Sequence, residues 1–244
     1  MKNLVIATVF ICSFSIASLN VFAQSESRDG LVNEIKAKRV ELAALENRLL
    51  EPSAEDRARH AEFLRQPDTG LIRLLPRDVY DEVYHTGKGL TIIGGGAYYS
   101  FTRLTHEYGY GSDIELDHNF LSVGFAGVDY GMLTNLGEMP LEQITLESPS
   151  VQFISDYTPP ANEAEARLEQ TKFRNGLVSN DVLYKQRLPL QANSTYLLRS
   201  INYGGSGSDI LVAFRVARKD TDGSVIIVWK LLKKNPKPEL ARTN

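Results

Sequence analysis

The stretch TYLLRSINYGGSGSDILVAFRVARKDTDGSVIIVWKLLK, residues 195–233, decides how this chain folds. Three runs rich in β-branched and aromatic residues, Thr195–Asn202, Asp209–Arg218 and Ser224–Lys233, are separated by Gly204-Gly205-Ser206-Gly207 and by Thr221-Asp222-Gly223. The first separator supplies glycines and the second an Asp-Gly pair, the residues tight hairpin turns favour, so the pattern predicts a three-strand antiparallel meander. In Ile210–Phe214 and Val225–Trp229 every residue is apolar, and because successive side chains alternate in direction, both faces of these strands are apolar. Strands of this kind are covered on both sides, at the centre of a sandwich or under a helix.

Outward from the meander, further short runs rich in Ile, Val, Tyr, Phe and Thr lie between glycine clusters. Strands are expected at Gly89–Ile93, Ala97–Thr105, Ser112–His118 and Leu121–Phe125. One segment breaks the β pattern: after Pro159-Pro160, Asn162 with Glu165 resembles a cap, and Ala164–Phe173 has the composition of a short polar helix that Gly176 ends. Nearer the N-terminus, Leu31, Ile35, Leu42, Leu45 and Leu49 fall on alternating steps of four and three, with Lys38 at the one seam position that is not apolar. Asp29 is placed to cap this helix and Pro52 to stop it. So narrow a stripe over Asp29–Leu50 must dock, either on the body of the protein or on a second copy of itself. Ser53 and Asp56 then open a second helix that ends before Pro67, and Gln66–Gly70 is a turn. The fold class expected is α+β: two N-terminal helices in residues 24–66, then a mainly antiparallel β-sandwich or barrel-like body in 67–244 closed by the three-strand meander.

Residues 1–23 have the form of a cleaved secretory signal peptide. Lys2 makes the positive start, Leu4–Leu19 the apolar run, and Val21-Phe22-Ala23 the small-x-small site, with cleavage after Ala23. The apolar run is interrupted by Thr8, Ser13, Ser15 and Ser18 and falls short of the roughly 20 apolar residues of a membrane span. The expected location is therefore secreted or periplasmic, with no integral membrane span in the mature chain. The one cysteine, Cys12, lies inside the leader, so the mature chain has neither disulfides nor thiolate ligands. Across all 244 residues, 43% hydrophobic and 23% charged residues describe a globular protein, and a net charge of −3 gives no global attraction for nucleic acid.

Two constellations bear on function. Asp113, Glu115 and Asp117 are spaced two apart and share one face of a strand, with His106 and His118 close by. Asp113, Glu115, Asp117 and His106 are the candidate metal ligands, and the same cluster is the basis for an alternative reading as an extracytoplasmic hydrolase. The spacing equally describes the polar face of a half-buried strand, and no H-E-x-x-H or EF-hand pattern accompanies it. Gly94-Gly95-Gly96 lacks the lysine and helix of a phosphate loop, and no serine stands in a G-x-S-x-G elbow. No cofactor is expected.

The second constellation is aromatic. Tyr98, Tyr108, Tyr110 and Tyr203 crowd two glycine-rich turns that echo one another: Arg103 precedes Gly111-Ser112-Asp113-Ile114 as Arg199 precedes Gly207-Ser208-Asp209-Ile210. These four tyrosines are the candidate ligand contacts, since tyrosine offers a large amphipathic surface at low entropic cost. The function expected is that of an exported, non-catalytic protein binding a ligand or a cell-envelope partner through a Tyr/Gly-rich rim. Besides the hydrolase, a structural role as a homo-oligomer joined through the first helix is a further alternative. N-terminal sequencing of the exported protein should begin at Gln24; a chain that retains Met1 would exclude the leader.

Overall fold

The computed structural model describes residues 27–81, 94–106, 111–204 and 207–241. The leader, the expected strand Gly89–Ile93, Tyr108 and Tyr110 lie outside the described residues. Helices run over Arg28–Leu50 (α1), Ala54–Arg59 (α2), Arg77–Tyr80 (α3), Pro149–Asp156 (α4) and Glu163–Asn175 (α5). Strands are Thr69–Leu74 (β1), Tyr98–Tyr99 (β2), Ile114–Asp117 (β3), Phe120–Ser122 (β4), Tyr130–Asn135 (β5), Leu177–Ser179 (β6), Val182–Tyr184 (β7), Arg187–Pro189 (β8), Thr195–Ile201 (β9), Asp209–Lys219 (β10) and Val225–Asn235 (β11). The chain divides into residues 1–40 and residues 41–244.

In the first unit, the described residues open α1. Its cap is Ser27 rather than Asp29: the Ser27 hydroxyl accepts from the Gly30 N–H at 3.1 Å, and Asp29 sits in the first turn, where its charge suits the helix dipole.

The second unit is built on the meander. β9, β10 and β11 form the middle of a five-stranded antiparallel sheet of order β1-β11-β10-β9-β5. One face packs on a four-stranded sheet, β2-β3-β4-β8, with Tyr196, Leu198, Val212, Phe214 and Ile227 meeting Ile114, Leu116, Leu121 and Leu188. The other face carries Leu197, Leu211, Ala213 and Val228, and is covered by Val151 and Ile154 of α4 and by Ala166 and Phe173 of α5. The sandwich partner and the helical cover thus occupy opposite faces of the same strands, which is why Ile210–Phe214 and Val225–Trp229 are apolar throughout. Asn162 caps α5 as its sequence suggests, accepting from the Ala164 N–H at 2.8 Å, and Gly176 terminates it.

Elsewhere the register departs from the expected strands. Ala97–Thr105 is not one strand: β2 stops after two residues, and the chain turns through Phe101–Leu104 before Ser100 and Thr105 bridge. The cause is a side chain from elsewhere, because the Asp113 carboxylate accepts the Phe101 N–H at 2.8 Å and withdraws it from any ladder. β1, β5 and α4 have no counterpart in the sequence expectations. β1 begins inside the Gln66–Gly70 turn and pairs along β11, placing Gly70 opposite Trp229.

At the N-terminal edge of this unit, Ser53 and Asp56 make the reciprocal capping box that starts α2. Asp56 also pairs with Arg218 of β10, at 3.1 Å from Nη2, so the cap is fastened to the sheet. Arg218 in turn reaches Asp220, and Arg73 of β1 reaches the same carboxylate at 3.1 Å.

Gly70 lets the sheet accept its one tryptophan: a Cβ at this position would lie 2.5 Å from the Trp229 ring. Gly70→Ala should therefore cost about 1–3 kcal/mol, as overpacking does. Urea unfolding followed by Trp229 fluorescence tests this; an unchanged midpoint would contradict the packing of β1 on β11.

Candidate functional site

At the end of the sheet where β9 turns into β10, buried carboxylates hold the roots of two glycine-rich segments. Asp113, just before β3, is fully buried. It accepts from the Phe101 N–H, from the Ser100 hydroxyl at 3.3 Å and from the Asn202 amide at 3.3 Å. Burial pushes its pKa up to about 6, against the opposing pull of hydrogen bonds from Ser200, Phe101 and Ser100 and of the Arg103 charge. Asn202 also reaches Ser200 Oγ at 3.1 Å, and its N–H donates to Ser208 O at 2.7 Å, closing the turn between β9 and β10. Asp129, before β5, accepts the Tyr203 N–H at 2.7 Å. Burial raises its pKa as well.

On the opposite face of β9 lies a buried ion pair. Arg199 donates from Nε and Nη2 to the two oxygens of Asp209 at 2.8 and 2.7 Å, and both side chains are 2% exposed. Its Nη1 donates to the Ile154 and Tyr157 carbonyls at 2.7 and 2.5 Å. The Tyr157 ring centre is 5.5 Å from the guanidinium, and the Asn235 amide donates to Asp209 at 3.1 Å. Arg199 thereby joins β9, β10 and the segment leaving α4. That segment, the end of β11 and the ion pair enclose a cleft of about 420 Å³ lined by Asp156, Tyr157, Thr158, Lys233 and Asn235. A second cleft of about 300 Å³, beside His60, Glu142 and Arg215, has no buried charge behind it.

The residues singled out in the sequence are distributed as follows. Tyr98 and Tyr203 are interior rather than rim residues, 2% and 8% exposed. Tyr98 donates to Glu115 at 2.5 Å and packs edge-on to Phe125, and Tyr203 donates to the Pro160 carbonyl at 2.7 Å beside Tyr130. Neither ring offers a face to solvent, because each hydroxyl has a partner that draws the ring inward. Tyr108 and Tyr110 fall between the described residues His106 and Gly111.

The acidic strand is not a solvated face either. Asp113 and Glu115 are both buried, while Ile114 and Leu116 pack in the core on the other side. The four candidate metal ligands are not brought to one point. Glu115 is held by Tyr98 and by Arg77 at 3.1 Å, and Asp117 by Arg187 at 3.2 Å. His106 instead places Nε2 2.7 Å from the Arg73 carbonyl and its ring on Tyr99, and burial depresses its pKa. Among the described residues, the group whose ligand atoms lie within 4.8 Å of one another is Asp78, Asp117 and His118. Asp129, Asn202 and the Arg199–Asp209 pair were not marked as a site by the sequence. The available signals are an arginine within the largely apolar β9 and the echo that sets Arg199 ahead of Gly207-Ser208-Asp209-Ile210.

Compared with known protein families, with curated proteins and with solved structures, the chain matches none of them.

Asp113 generates a pH prediction. Its folded pKa lies above the unfolded 3.8, so the fold favours the protonated acid. The contribution is complete below about 4 and disappears as the pH rises through about 6. Relative to Asp113→Asn, the wild type should lose roughly 2–3 kcal/mol of unfolding free energy between pH 4 and pH 7.5. Parallel profiles for the two proteins in chemical denaturation would show that Asp113 is not desolvated.

Proposed function

We propose that this protein is exported and acts by binding a ligand or a cell-envelope partner at the end of the sheet where the two glycine-rich segments are rooted. One observation carries the reading: Asn202 donates to Asp113 across 89 residues of sequence, so the roots of both segments share one hydrogen-bond network. A recognition surface benefits from such a base, because contacts made by preorganised segments lose less entropy on binding. The tyrosines that the sequence places between His106 and Gly111, Tyr108 and Tyr110, are the proposed contacts. Export is supported by the leader-like residues 1–23, and no helix among the described residues is long and apolar enough to cross a membrane.

Self-association through residues 29–50 is a second reading, favoured by one observation. Within residues 41–244, the seam residues Leu42 and Leu45 remain 37% and 48% exposed. A protein shortened to begin at residue 52 would then be monomeric by light scattering where the mature chain is not.

For the binding reading, Tyr108→Ala and Tyr110→Ala should each weaken binding of a ligand selected on a glycan and peptide array at least tenfold, with an unchanged melting temperature. Normal binding by both variants would remove these tyrosines from the site.

A further inference from the structure

We propose that the cleft over Arg199 and Asp209 binds a neutral, polyhydroxylated ligand: the end of a glycan or a short oligosaccharide. This rests on the binding reading above and names the chemistry that would be recognised beside the glycine-rich turn.

The charge inside the cleft is balanced. The Arg199 guanidinium is neutralised by both oxygens of Asp209, which leaves Lys233 and Asp156 as one cation and one anion lining the cleft. An anionic ligand would meet Asp156, and a cationic one Lys233. A neutral ligand bearing several hydroxyls satisfies both, because each hydroxyl donates one hydrogen bond and accepts others. Donors and acceptors remain to meet it. Lys233 gives hydrogen bonds to the Ser155 carbonyl at 3.1 Å and hydroxyl at 3.4 Å and retains a third N–H. Asn235 uses one amide hydrogen on Asp209 and keeps its other hydrogen and its oxygen. Among the described residues, the side chains of Asp156 and Thr158 make no hydrogen bond or ion pair.

Apolar surface in the lining comes from Tyr157, Pro159 and Pro236. The volume of about 420 Å³ falls within the range of small-ligand sites. The walls are also preorganised: Arg199 holds the carbonyl of Ile154 in α4 and that of Tyr157 just after it before any ligand arrives.

The experiment uses the mature chain on an array of neutral, sialylated and sulfated oligosaccharides with peptides alongside, followed by calorimetry on the strongest neutral glycan. Binding of neutral glycans should be insensitive to salt between 50 and 500 mM. Lys233→Met and Asp156→Ala should each weaken it at least tenfold while the melting temperature holds, and Asn235→Ala checks the third wall. Three results would overturn the assignment: no neutral glycan bound, preference for charged glycans that fades with salt, or unchanged affinity in Lys233→Met and Asp156→Ala. If those two variants bind normally while Tyr108→Ala and Tyr110→Ala do not, the cleft fails and the rim reading stands. Capture of peptides alone likewise overturns the glycan assignment and leaves the binding reading in place.

Discussion

The interior of this protein is organised around a charge that is almost wholly withdrawn from water, 2% exposed at the floor of a cleft. Arg199 sits on a strand whose neighbours are Tyr196, Leu197, Leu198 and Ile201, all fully buried, and a guanidinium there is tolerable only if each of its hydrogen-bonding directions is met. Asp209 supplies the counter-charge in a two-point geometry, and the Ile154 and Tyr157 carbonyls take the remaining donors of Nη1. Such a pair adds little net stability over a well-packed apolar substitute, yet losing one partner strands a buried charge at a cost of about 3–5 kcal/mol. Through the Ile154 and Tyr157 carbonyls, the pair ties the end of α4 to β9.

Buried carboxylates recur on the other side of the sheet, held by hydroxyls, an amide and backbone N–H groups. Asp113 and Asp129 are carboxylates that the fold holds against a desolvation penalty, and each secures a turn by accepting backbone N–H groups. Glycine-rich segments gain no rigidity of their own, because glycine has the largest conformational freedom to lose. Polar anchors at their roots supply that constraint, in a chain whose only cysteine is Cys12. Rigid roots under glycine-rich turns, beside a cleft lined with unspent donors and acceptors, are what the binding proposal builds on.

Much of the architecture could be read along the chain, and the reasons are local. The meander was legible because apolar alternation and turn chemistry are properties of neighbouring residues, and the capping pairs Ser53–Asp56 and Asn162–Glu165 announce their helices within four positions. The end of β2 was not legible, since the group that removes the Phe101 N–H from the ladder is Asp113, twelve residues on. β5 and α4 were missed because their apolar residues are spent on the two faces of a sheet formed much later in the chain. The tyrosines were misjudged for the opposite reason. Alternation says which residues share a face, but only the partners of the Tyr98 and Tyr203 hydroxyls decide that both faces are interior.

By itself, the sequence determined the α+β class, the hairpin order of the last three strands, and the acidic and glycine-rich stretches where polar chemistry concentrates, because these depend on side-chain periodicity and backbone preference over a few residues. Tertiary structure alone decided which carboxylates became buried anchors, which arginine each would meet, and where a cleft would open. Desolvation depends on every element that packs around a group, and no run of neighbours encodes it. Thus Asp113 and Asp209, set in the same Gly-Ser-Asp-Ile string, end in different surroundings, one under hydroxyls and amides and the other against a guanidinium.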